Sequence, residues 1–148
     1  MTMTVRTART YDAAAIAGLC GELGYPATRP QIVSRLAAIE TAGQGCVLVA
    51  EDAIGALVGW LHVGQHVSLT GDAEGEILGL VVREDARGRG IGAALVAASE
   101  DWALAHGCAR MRVRSRVERE RAHRFYDRAG YAPVKTQIVF GKRTGAAG

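Results

Sequence analysis

Apolar and polar residues alternate along this chain with two periods, and these predict its elements. From Asp12 to Leu23 the apolar residues Ile16, Leu19, Cys20 and Leu23 recur at helical spacing, and Gly24 and Pro26 close the segment. Thr28 and Gln31 form a capping-box pattern with Pro30 in the first turn, so a second helix is predicted to about Ala42, burying Ile32, Val33, Leu36 and Ile39. A short strand precedes these helices at Val5–Thr7. Two more follow at Cys46–Glu51 and Ala56–Val63, rich in Val, Leu and aromatic residues. Residues 64–75 are polar and read as a turn. Glu76–Val82 is a short apolar strand containing Gly79, the sign of a bulge or a close backbone approach. Gly90–His106 is the clearest helix, with a stripe of Ile91, Leu95, Val96, Trp102 and Leu104, and Gly107 ends it. A strand near Arg110–Arg114, a helix near Glu118–Ala129 and a final pair of strands around Ala132–Lys142 complete the order, with a loose tail over 144–148. Helices interleaved with strands give an α/β or α+β class, and the adjacent late strands point to a mixed sheet.

The chain has 148 residues, which at roughly 100–200 residues per domain predicts one domain over 1–148. A composition that is 49% hydrophobic and 22% charged excludes a disordered chain. No apolar run approaches the ~18 residues of a membrane span, so no membrane partner is expected. The start MTMTVRTARTYD lacks the apolar core of a secretory signal. Cys20, Cys46 and Cys108 are odd in number and without CxxC spacing, so they read as reduced, buried residues, and the expected location is cytoplasmic. His62 and His66 are placed on a strand and its following loop, not on one helical face, so no metal site is expected.

Net charge is only +3, but it is unevenly placed. Residues 1–75 carry four arginines and seven acids, a balance of −3, whereas residues 83–128 carry eleven arginines and seven acids, a balance of +4. The second stretch suits an anionic ligand and the first a cationic one. Arg110, Arg112, Arg114 and Arg116 alternate as one solvated strand face. No aromatic residues interleave among them for base stacking, so no nucleic acid partner is expected.

The segment that carries chemistry is 76–106, where a buried strand runs through Arg87-Gly88-Arg89-Gly90-Ile91-Gly92 into a helix. A glycine-rich turn opening a helix presents unpaired N–H groups and the positive end of the helix dipole to phosphate oxygens, and the arginines add charge there. A plain strand-to-helix turn is the bland alternative. A Walker loop would need a Lys-Ser/Thr pair after the glycines, and none follows. A dinucleotide fingerprint can be placed on Gly88, Gly90 and Ala93, but it needs an acidic residue at the end of the next strand, which instead reads MRVRSR.

Arg87–Gly92 resembles the R/Q-x-x-G-x-G/A motif of the GNAT acetyltransferases, and the preceding EILGLVV resembles that family's central strand. Downstream, Ala122-His123-Arg124-Phe125-Tyr126-Asp127-Arg128-Ala129-Gly130-Tyr131 is similar to the family's A-x-x-F-Y-x-x-x-G-F/Y block. The resemblance is tight over about 76–136. It implies a GNAT fold: a central, mixed, mostly antiparallel twisted sheet of about six to seven strands, with about four helices packed on both faces.

It also implies an N-acetyltransferase that moves an acetyl group from acetyl-CoA to a small-molecule or peptide amine through a ternary complex. Pyrophosphate would lie on Arg87, Gly88, Arg89, Gly90, Ile91, Gly92 and Ala93, and pantetheine along Leu80, Val81 and Val82. Phe125 and Arg119 are further cofactor positions, although Arg119 stands where the family often has an asparagine. Tyr126 matches the tyrosine that protonates the departing thiolate, and Glu76 matches the general base found in part of the family. A carboxylate suits the base role because an amine attacks only when neutral. The Val82 amide is the natural oxyanion donor. The same residues have plainer roles as well: Glu76 as a polar strand start, Tyr126 as a packing residue, Ser115 as a helix cap. Trp60 and His62 are candidates for the acceptor pocket, and outward apolar residues of the last strands could support a homodimer. The alternatives are a non-catalytic acyl-CoA-binding or regulatory module and, less favoured, a dinucleotide-binding protein.

Overall fold

The computed structural model describes residues 3–145. Strands β1 (Met3–Thr7), β2 (Gly45–Asp52), β3 (Leu57–Ser68), β4 (Gly71–Val82) and β5 (Met111–Val113) form one sheet in chain order. The first three pairings are antiparallel. The β4–β5 pairing is parallel, reached by a helical crossover. The helices are α1 (Ala13–Leu23), α2 (Arg29–Ala42), α3 (Ile91–Ala105) and α4 (Glu120–Arg128). The chain forms two compact units: the sheet and α1–α3 lie in the unit that ends at Arg114, and α4 lies in the unit that begins at Ser115.

The predicted capping box starts α2: Thr28 Oγ1 accepts the Gln31 amide at 3.3 Å, and Gln31 Oε1 accepts the Thr28 amide at 2.9 Å. Ala13, Ile16 and Cys20 of α1 and Ile32 of α2 then pack on Val47 and Val49 of β2, with Trp60 of β3 at the margin. Gly59 points the other way, because a side chain there would meet Leu95 and Ile91 of α3 at 3.2 and 3.4 Å. Thus α1 and α2 cover one face of the sheet and α3 the other. Leu61, Val63, Ile91 and Leu95 are fully buried, each worth about 1.5–3 kcal/mol of apolar burial.

Three expectations are corrected. Residues 64–75 are not a turn: β3 continues to Ser68 and β4 begins at Gly71, with Gln65 opposite Gly75 and His66 opposite Glu74. Backbone pairing across the ribbon holds these polar residues extended where side-chain burial alone would not. Among the described residues the sheet has five strands, not six to seven, and no strand forms over 132–142. The alternation there is suited to pairing, but a strand exists only with a partner, and Val134, Ile138, Val139 and Phe140 stand exposed. The helix cap expected from Ser115 is also absent: Arg119 stands at the start of α4, and Ser115 Oγ is buried with no hydrogen-bond partner among the described residues. The tail expected over 144–148 lies mostly outside the described residues. No helix among those residues is long and apolar enough to cross a membrane.

Candidate active site

The centre of the site is a change of phase in β4. His62 opposes Gly79 and the next residue, Val63, opposes Ile77, so Leu78 is the extra residue of a bulge beside the predicted Gly79. Before the bulge, the Gly75 amide points outward and donates to the Arg110 carbonyl beside β5 at 2.8 Å. After it, the Arg83 amide points inward and donates to Val58 at 2.8 Å. Antiparallel alternation then places Val81 and Gly79 in the bonded pairs with β3, and turns the N–H and C=O groups of Leu80 and Val82 outward. β5 pairs only with Gly75, Glu76 and Ile77, so among the described residues the outer edge of Leu78–Val82 has no strand beside it. Two amide groups on an open strand edge can pair with an extended, amide-bearing ligand.

Past Val82 the chain makes a 3-10 turn at Glu84–Ala86, whose Glu84 amide is accepted by Glu22 of α1 at 2.9 Å. The Arg87 Nε donates to the Val82 carbonyl at 3.2 Å and ties the loop to the end of β4. Gly88 and Gly90 then adopt φ of +82° and +79°, a region in which other residues are strained. Gly90 caps α3 without any side chain, and the first helical bond runs from the Ala94 amide to Gly90 at 3.0 Å. The amides of Ile91, Gly92 and Ala93 therefore stand ahead of the helical ladder, aligned with the helix dipole and suited to phosphate oxygens. Ile91 is buried, so a ligand contact there would come from its backbone amide, whereas Val81 is buried and its N–H and C=O face β3, so the hydrogen-bonding groups on the outer edge are those of Leu80 and Val82.

A second cluster lies on the α1/α2 face of the sheet. Trp60, His62, Gly64 and His66 alternate along β3, with Gly79 opposite His62 and Glu76 opposite Gly64. The Trp60 ring covers Gly79 so closely that a Cβ there would come within 2.9 Å of it, and Trp60 Nε1 is buried with no hydrogen-bond partner among the described residues. His62 is half-buried, which pushes its pKa down and keeps the imidazole neutral. Glu76 is buried, with His66 Nδ1 at 3.5 Å, Arg114 Nη1 at 3.6 Å and Arg112 Nε at 3.8 Å from its oxygens. The arginine stripe is thus more than a solvated face, because two of its members converge on Glu76.

Tyr126, Phe125 and Arg119 lie in the second unit. Burial pushes the Tyr126 phenol up to about 12, so it stays protonated. Its ring meets Phe125 and Tyr131 edge-on at centroid distances of 5.0 and 5.8 Å. Arg119 begins α4, and its carbonyl accepts the His123 amide at 3.1 Å. Sequence reasoning missed His66, because it placed that residue in a loop. The usable signal was the period-two series Trp60, His62, His66 facing Glu74 and Glu76 on the next strand.

A bulged strand with an open edge, running into an uncapped helix through a glycine–arginine loop, defines a protein built to hold an extended ligand with an anionic end. The sequence profile of the Acetyltransferase (GNAT) family matches residues 15–131, and the chain belongs to that family of acyltransferases. It is 29% identical over 141 residues to an aminoglycoside N(6')-acetyltransferase type 1 of Stenotrophomonas maltophilia, covering 93% of this chain and 91% of that one. Its fold matches an aminoglycoside 6'-N-acetyltransferase solved with a bisubstrate analogue, CoA-S-monomethyl-acetylneamine, at a TM-score of 0.86 and 19% identity, covering 97% of this chain and 99% of that one. A glucosamine-6-phosphate N-acetyltransferase of Arabidopsis thaliana matches with a TM-score of 0.78 and 21% identity over 98% of this chain and 100% of that one.

Proposed function

We propose that this chain transfers an acetyl group from acetyl-CoA to a primary amine as a single N-acetyltransferase domain. The family profile runs through both units, from residue 15 to 131, which supports the single domain. The observation that carries the assignment is the open edge of β4 leading into the uncapped start of α3. Leu80 and Val82 pair with the pantetheine amides, and the amides of 91–93, with Arg87 and Arg89 in the loop, take the pyrophosphate. Glu76 removes the proton of the acceptor ammonium, directly or through water. The neutral nitrogen attacks the thioester carbon, and the Val82 N–H holds the oxyanion. The C–S bond then breaks and the Tyr126 phenol gives its proton to the sulfur, while the extra proton still on the attacking nitrogen leaves and, through solvent, restores the phenol; the products are an amide and a thiol. Trp60 and His62 line the acceptor side.

The relatives named for aminoglycosides and the acidic balance of residues 1–75 favour a polycationic small molecule as acceptor. The exposed apolar residues of 134–140 offer a surface for a second copy, and three free cysteines suit a cytoplasmic location. The test is calorimetric titration with acetyl-CoA, followed by thiol release with a panel of aminoglycosides, polyamines and lysine peptides. Binding with thiol release is the expected result. Binding without release from any amine would favour an acyl-CoA-binding module. Tyr126→Phe should keep acetyl-CoA affinity and lose roughly 10²-fold in kcat; unchanged turnover would remove Tyr126 from the mechanism.

A further inference from the structure

We propose that His66 is the proton outlet of Glu76: the carboxylate passes the acceptor's proton to His66, which releases it to solvent. This rests on Glu76 being the base of the proposed acetyl transfer. A base must lose its proton again in every turnover, and the Glu76 side chain is only 8% exposed, so it has little direct contact with water. Of its three basic neighbours, Arg112 and Arg114 are guanidinium groups, which have no acceptor site for a proton. His66 has one. Its Nδ1 stands 3.5 Å from Glu76 Oε1, while its side chain is 33% exposed, so one edge of the ring meets the carboxylate and the side chain also reaches water.

The register explains the contact. Glu76 opposes Gly64, and His66 is the next residue of β3 on the same face, opposite Glu74. Glu74 and Glu76 on β4, Arg112 on β5 and Arg114 just past its end are the charged groups brought to this end of β3, and His62 lies four residues back on its own strand. In the transfer the Oε1–H bond of Glu76 breaks and an Nδ1–H bond forms on His66. The resulting imidazolium gives its Nε2 proton to water or buffer, and proton exchange with solvent then moves the remaining proton from Nδ1 to Nε2, which frees Nδ1 for the next turnover. No electron is exchanged, and the carboxylate is restored.

The experiment follows thiol release from acetyl-CoA with neamine as acceptor, using the full chain and the variants Glu76→Gln, His66→Ala and His66→Gln. Assays run at low buffer concentration and again with added 1,2-dimethylimidazole, a small base that can replace a missing outlet. Glu76→Gln should lose about 100-fold or more in kcat. Both His66 variants should lose about 10-fold in kcat with KM for acetyl-CoA unchanged, and should recover most of it as the added base rises. The glutamine variant keeps a polar side chain beside Glu76 and controls for packing, and thermal melts check that each variant folds. Wild-type turnover in both His66 variants, or a loss that added base does not restore, would overturn the outlet while leaving Glu76 as base. Full turnover in Glu76→Gln would overturn the base, and the outlet with it.

Discussion

Asp12 and Glu76 are buried to nearly the same degree, 5% and 6% exposed, yet they sit in opposite kinds of surroundings. Asp12 is saturated. Arg6 grips it with a two-pronged fork at 2.8 and 2.9 Å, and the Arg9 amide adds a third bond at 2.7 Å. Burial works to raise its pKa, but the Arg6 fork and the Arg9 amide outweigh it and hold the carboxyl below the usual carboxylate range. Glu76 has two guanidinium groups and an imidazole around it, and none of them is close. Its contacts at 3.5–3.8 Å exceed the about 2.7–2.9 Å of a charge-assisted hydrogen bond. Burial alone therefore does not separate a structural carboxylate from a reactive one. Occupied lone pairs do: Asp12 has little capacity left for a substrate proton, and Glu76 keeps its capacity.

Exchanging each carboxylate for a neutral residue tests this contrast most strongly. Glu76→Gln should lower kcat by about 10²–10⁴-fold and leave the melting temperature nearly where it was. Asp12→Ala strands Arg6 beside Glu51, 3.4 Å away, as its remaining acidic partner. It should cost about 3 kcal/mol of stability, a fall in Tm of roughly 6–12 °C, with kcat per folded molecule unchanged. Paired measurements of Tm and kcat on both variants decide the matter. If Glu76→Gln melts early and Asp12→Ala loses turnover, the roles are reversed.

The glycine loop with α3 and the surroundings of Glu76 differ in how legible they were in the sequence. The loop and α3 were visible because their signals are local: Gly88, Gly90 and the apolar stripe of 91–104 lie within a few turns of one another. The capping box of α2 was visible for the same reason. The surroundings of Glu76 were hidden because long-range pairing makes them. Gln65, His66 and Ser68 have no apolar pattern that marks a strand, and only the register with Gly71–Glu76 holds them in one. Placed in a loop, His66 had no reason to meet Glu76. Arg112 and Arg114 looked solvated because the parallel pairing of Arg112 with Glu76 cannot be read from their own alternation. The converse failure is 132–142, where local alternation was strong and no partner strand accompanies it among the described residues. For the bulge, Gly79 was a sound local sign, but its use, a seat for the Trp60 ring, came from the fold.

That seat supplies a milder test. Gly79→Ala would put a methyl group within 2.9 Å of the Trp60 ring, and the indole must tilt away. If Trp60 lines the acceptor side, KM for the amine should rise about 3–10-fold while acetyl-CoA affinity stays the same, since the backbone of Leu80 and Val82 is untouched. Acceptor and acetyl-CoA titrations on the variant separate the two. A loss confined to acetyl-CoA would instead place Trp60 on the cofactor side of the bulge, away from Glu76.

The smallest effects are those of acid, and they sharpen the contrast because the signs are fixed. Asp12 has a folded pKa below its unfolded value near ~3.9, so its stabilisation is fully present above that value and is lost as pH falls through the folded one. His62 is also depressed, by burial, below its ordinary 6.5. Unfolding lets it bind a proton more readily, so its contribution is present above ~6.5 and is lost as pH falls through its folded value. The acid side of a Tm–pH curve should therefore descend in two steps, an upper one beginning near ~6.5 and a lower one below ~4. His62→Gln should remove the upper step and leave the lower. Asp12→Ala should do the reverse, so that its Tm deficit against the wild type stays constant between neutral pH and ~5 and shrinks below ~4. A deficit that persisted unchanged in strong acid would mean that Asp12 stabilises the fold by packing and not by its charge, and the fork from Arg6 would lose its place as the feature that sets the two carboxylates apart.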